Sequence, residues 1–102
     1  MSKFEEILLE LNEDLEKFTF SQTMREARDR IGLLQYRTAE HLKMTIGRLK
    51  NLETGYFRNM PTSSEIRDIC DFYQLPKQEM IGKAERHISE RSREKKIRTI
   101  HG

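Results

Sequence analysis

The chain is 102 residues long, room for one small domain with extensions, and hydrophobic and charged residues each make up 35% of it; a charged share above the usual quarter means a modest core. Its net charge of +2 hides a gradient: residues 1–20 carry −4, residues 21–82 carry +2 and residues 83–102 carry +4. The single cysteine, Cys70, excludes an internal disulfide framework, and with no secretion signal and no bilayer-length apolar run the chain reads as cytoplasmic, with no membrane partner.

Residues 3–19 show Phe4, Ile7, Leu8, Leu11, Leu15 and Phe18 at spacings of three and four, with charges between them. This predicts an amphipathic, acidic N-terminal helix that must bury its stripe. The stripe is a candidate dimer or partner surface; packing on its own domain is the other use open to it. Thr19-Phe20-Ser21 interrupts the pattern. Ser21 or Thr23 is expected to cap the next helix, with Thr23-x-x-Glu26 as a capping box. That helix would show Met24, Ala27 and Ile31 on one face and stop at Gly32.

Two short helices follow. Gln35–Leu42 would turn Ala39 and Leu42 inward; Thr45 would cap Ile46–Thr54, with Leu49 and Leu52 inward and Gly55 as the stop. A link of about three residues joins them. Two short helices across so tight a turn form the unit that lays a second helix in a DNA major groove. Residues 56–60 make a loop to Pro61. Thr62-x-x-Glu65 is a further capping box opening Ser63–Tyr73, where Ile66, Ile69, Cys70 and Tyr73 share a stripe. Cys70 is expected to be an inert core thiol. A last helix starts near Lys77, with Met80, Ile81, Ala84 and Ile88 on one side. Beyond Ser89 the basic end has little to bury. The expected organisation is an acidic helix over 1–20, a helical domain over 21–82 and a basic helical extension or tail over 83–102, all of it all-α.

The ordered set Met24, Arg25, Arg28, Gly32, Leu33, Gln35, Ala39, Leu42, Met44, Thr45, Leu49, Glu53 and Gly55, continued by Pro61, Ile66, Ile69, Cys70, Tyr73 and Leu75, resembles the Cro and lambda-repressor-like (XRE) helix-turn-helix family. The resemblance covers about half the chain. It implies a five-helix DNA-binding domain, here with the extra N-terminal helix and the extended basic C-terminal end. Three positions depart from the pattern. Leu34 stands where a polar cap is usual, Thr38 where a core leucine is usual, and Lys43 where a turn glycine is usual, so a non-glycine is expected at positive φ.

The resemblance implies a role for each site residue. Ile46, Gly47, Lys50 and Asn51 would face base edges: Lys50 donating to guanine, Asn51 pairing with adenine, Ile46 touching a thymine methyl, and Gly47 allowing close approach. Gln35, Thr45, Arg48, Tyr56, Arg58 and Asn59 would hold phosphates. Arg28 and Glu53 would form a structural ion pair between the first helix and the recognition helix. The expected partner is a double-stranded, palindromic DNA operator bound by a homodimer, and the expected role that of a transcriptional repressor of the phage or mobile-element type, or its host equivalent. The other reading keeps the scaffold as a protein-interaction module, antitoxin-like or regulator-binding. His41, His87 and His101 have no metal-ligand spacing, and no phosphate loop or nucleophile motif is present. No cofactor, metal or enzymatic activity is implied.

Overall fold

The computed structural model describes residues 17–101, with side chains described through residue 93. Most of the N-terminal stripe, Phe4 to Leu15, lies outside the described residues. Five helices account for the regular structure described: α1 (Phe20–Ile31), α2 (Gln35–Leu42), α3 (Ile46–Thr54), α4 (Ser63–Tyr73) and α5 (Lys77–His101). Helix α1 packs on α3 and α5, α2 on α3 and α4, and α4 on α5. The all-α expectation holds for the described residues.

Cap chemistry explains most boundaries. The hydroxyl of Thr45 accepts from Arg48 N–H, closing the start of α3. Thr62 and Glu65 make a reciprocal capping box on α4. Helix α2 begins at Gln35, after Leu34, whose side chain offers no cap. Lys43 ends it at φ 57° and Gln74 ends α4 at φ 58°, two non-glycine residues in left-handed conformation. Both let the cap N–H return to a carbonyl of the last turn.

Two expectations for α1 are corrected. The helix starts at Phe20, ahead of the start that a cap at either Ser21 or Thr23 would give. Its capping box is Thr19 with Gln22, not Thr23 with Glu26; Thr23 Oγ1 instead donates back to the Thr19 carbonyl at 2.8 Å. Phe18 lies in the bend that enters α1. Phe20 itself is fully buried and meets Phe57 edge-on, at 5.5 Å between ring centroids. Burying that ring draws the chain into helix earlier than a cap at Ser21 or Thr23 would. Ile31, expected inward, is 48% exposed, because α1 has passed the core by its last residue.

The core gathers Phe20, Met24 and Ala27 of α1, Leu49 and Leu52 of α3, Ile66, Ile69 and Cys70 of α4, and Met80 and Ala84 of α5. Thr38, buried where a leucine was expected, satisfies its hydroxyl by donating to the Leu34 carbonyl at 3.1 Å. Burial pushes the Cys70 thiol up to about 11, so very little thiolate forms near neutrality. Helix α5 runs past Ser89 to His101. No helix among the described residues is long and apolar enough to cross a membrane.

Candidate functional site

Helix α3 has two unlike sides. At about 100° per residue, Ile46, Lys50, Thr54, Gly47 and Asn51 occupy one arc of about 140°. All five are exposed. Leu49, Leu52 and Glu53 lie outside that arc, Glu53 next to its Ile46 edge, and are buried. Among the base-contact candidates, Lys50 and Asn51 alone carry side-chain hydrogen-bonding groups. Ile46 stands 41% exposed, a large apolar group presented to water. A Cβ added to Gly47 would meet nothing within 4 Å, so glycine is not required there by packing.

The buried side is held by an ion pair. Arg28 Nε donates to Glu53 Oε2 at 2.8 Å, Gln35 Nε2 donates to Glu53 Oε1 at 3.0 Å, and Arg28 Nη1 donates to the Leu33 carbonyl at 3.0 Å. Glu53, 1% exposed, thereby joins α1, α2 and α3 through one carboxylate. Its hydrogen bond holds the Arg28 guanidinium above its ordinary pKa. The sequence-based role for Gln35 was phosphate contact alone; in the structure its amide nitrogen is directed at Glu53.

Arg48 departs from its expected place. It stands at the border of the exposed arc, about 60° beyond Asn51. Its Nε donates to Glu65 Oε2 at 2.8 Å and its Nη2 to Glu65 Oε1 at 2.9 Å. The guanidinium is forked onto a carboxylate of α4 and is not projecting as a free cation. Glu65 Oε1 also accepts from Thr62 N–H. The Arg48 hydrogen bond, more than any other influence, holds the Glu65 carboxyl below the usual carboxylate range.

The loop after α3 is fixed from the far side. Gly55 closes α3 at φ 85°, and a Cβ there would come 3.4 Å from His87 Cε1. Phe57 is buried and stacks on His87 at 4.0 Å. His87 Nε2 lies 3.1 Å from the Phe57 carbonyl, so this nitrogen carries the proton and donates. Arg91 Nη1 donates to the Gly55 carbonyl at 2.6 Å, and Ser21 Oγ donates to the Leu52 carbonyl, also at 2.6 Å. With the backbone pinned, Tyr56, Arg58 and Asn59 are left exposed; Thr45, at the opposite end of α3, is exposed as well.

Sequence reasoning foresaw none of these contacts: not Ser21 with Leu52, not His87 and Arg91 with the loop, and not Glu65 with Arg48. The His87 and Arg91 spacing of four on one helix was a visible signal, but what that face would meet was not. The exposed elements are one helical arc, the start of α2 and one pinned loop. Among the described residues no group of three or more His, Cys, Asp or Glu is placed to hold a metal ion. No family model, curated protein or solved structure matches the chain.

Proposed function

We propose that this protein is a sequence-specific, double-stranded-DNA-binding transcriptional regulator of the Cro and lambda-repressor-like helix-turn-helix type. It acts as a repressor that occupies an operator and excludes polymerase. Helix α3 enters the major groove with Ile46, Gly47, Lys50 and Asn51 toward the bases. Gln35, Thr45, Arg58, Asn59 and Tyr56 flank the groove and meet phosphates. The protein binds as a homodimer on a palindrome, since a nine-residue helix reads only a short half-site.

The observation that carries this reading is the exposed arc of α3. Its polar residues are not covered by any other described element, while Leu49, Leu52 and Glu53 outside it are buried. Nothing in the core needs Lys50 or Asn51.

The test is selection of bound duplexes from a random pool with wild type and Asn51→Ala. A recovered palindrome that loses a defined base preference in the variant supports the reading and the dimer together. Recovery of the same motif by the variant removes Asn51 from the reading set.

One observation favours a second reading, the protein-interaction module. Ile46, Leu34, Tyr36 and Tyr56 are large apolar or aromatic side chains left exposed on and around the same elements, a pattern that also suits a protein partner. Absence of any retention on mixed-sequence DNA at low salt would favour it. Retention that falls steeply with salt would exclude it as the main role.

A further inference from the structure

Arg48 lies on the flank of the reading arc, where the strand bounding a groove would run beside α3. An arginine there would ordinarily be expected to grip a phosphate. Here the N–H of Nε and one N–H of Nη2 are given to Glu65, which turns the forked edge of the guanidinium toward α4 and leaves it the two N–H of Nη1 and one of Nη2. Resting on the DNA-binding reading above, we infer that Glu65 is a positioning residue that withholds Arg48 from the DNA backbone. It thereby limits sequence-independent affinity without touching DNA.

Three features support this. The pair is bidentate at 2.8 and 2.9 Å, the strongest geometry open to a guanidinium and a carboxylate. Glu65 cannot readily swing away to release its partner, because the capping box of α4 fixes it. Its Oε1 accepts from Thr62 N–H at 2.9 Å, and its own N–H donates to Thr62 Oγ1 at 3.1 Å. Lastly, of the four base-contact candidates on the arc that Arg48 borders, just two, Lys50 and Asn51, carry hydrogen-bonding side chains. Phosphate contacts carry no sequence information, so an added arginine grip would raise binding everywhere while the reading set stayed the same.

The same chain supplies the control. Gln22 closes the capping box of α1 in the position that Glu65 holds in α4. Glu65→Gln therefore keeps an acceptor for Thr62 N–H while removing the charge and the second acceptor that fork Arg48. Binding to a mixed-sequence duplex would be titrated by anisotropy between 50 and 200 mM salt, roughly the range over which phosphate contacts dominate. Wild type, E65Q, R48A and the double variant would be compared.

The expected result is that E65Q binds more tightly than wild type at low salt. Its log–log salt slope is steeper by about 0.9, which adds about a 3.5-fold loss of affinity over that range. R48A keeps the wild-type slope, and the double variant returns to it. A shallower slope for R48A would show Arg48 already on a phosphate and overturn the inference. So would an E65Q slope equal to that of wild type. If E65Q melts below the assay temperature, R48A alone decides between a withheld and an engaged arginine. Failure of wild type itself to bind at low salt would overturn the DNA reading and this inference with it. Wild-type binding with no change in E65Q overturns the inference alone.

Discussion

Helix α3 is held by two arginine–glutamate pairs with the same closest distance and different surroundings. Arg28 Nε meets Glu53 Oε2 at 2.8 Å, and Arg48 Nε meets Glu65 Oε2 at 2.8 Å. The Glu53 side chain is 1% exposed, whereas those of Arg48 and Glu65 are 31% and 21% exposed. A carboxylate without water has no second choice of partner if its arginine is lost. A half-exposed one can be hydrated, at the cost of little more than a surface contact. Equal distances therefore carry unequal energies. The inner pair determines whether α1, α2 and α3 come together; the outer pair determines what the flank of α3 offers to its surroundings.

The contrast breaks most visibly at Glu53. Glu53→Ala would leave Arg28 Nε and Gln35 Nε2 without their acceptor inside the helix junction. Loss of one member of a buried pair costs about 3 kcal/mol or more, a fall in Tm of roughly 15 °C for a domain of this size. Thermal melting followed by circular dichroism checks it. A Tm within a few degrees of wild type would show that the junction is held by its apolar contacts alone, and the inner pair would then rank no higher than the outer one.

The outer pair is tested by pH. The folded pKa of Glu65 lies below its ordinary value, chiefly because Arg48 hydrogen-bonds the ionised form. The fold thus favours the charged carboxylate. Its stabilising contribution is complete above the unfolded-state value, about 4.3, and disappears as pH falls through the lower folded value. At neutral pH, Glu65→Ala is expected to cost about 1 kcal/mol, the worth of a half-exposed pair together with part of a cap. Melting curves of wild type and Glu65→Gln taken from pH 7 down to pH 2 should begin to draw together as pH falls below the unfolded-state value of about 4.3 and meet only below the lower folded value. Curves that stay parallel throughout would remove the stabilising role of the outer pair.

How far these features could be read from sequence depends on whether their causes are local. The ends of α2, α3 and α4 are set by neighbours in the chain: Thr45 for the start of α3, Thr62 with Glu65 for α4, Gly55 for the stop, Lys43 at positive φ for the turn. Each was legible. The start of α1 was not, because the chain holds two overlapping box patterns, Thr19 with Gln22 and Thr23 with Glu26. What chose between them is the burial of Phe20 against Phe57, a contact across 37 residues. The site divides in the same way. The exposed arc of α3 follows from periodicity. The Arg28–Glu53 pair was expected only through a family resemblance, since no spacing rule links residues 25 apart. Arg48 with Glu65, and His87 and Arg91 on the loop after α3, depend on how helices stack. Nothing within a single helix announced their partners.

The smallest expected effect tests the outer side of α3 against its inner side at one atom. Gly47 has ordinary helical backbone, and an added Cβ meets nothing within 4 Å. Packing therefore gives no reason for glycine, which costs about 0.8 to 1 kcal/mol against alanine inside a helix. Gly47→Ala should raise Tm by about 4 °C. If the arc lies in a groove, the added methyl stands between α3 and the bases, and affinity for a selected site should fall several-fold while the protein becomes more stable. Melting and titration of the same preparation check both halves. Opposite signs would mean that the open side of α3 is shaped for a partner and not for the fold. A gain in stability with unaltered site affinity would show that Gly47 stands clear of the bases, and the reading arc would then shrink to Lys50, Asn51 and Ile46.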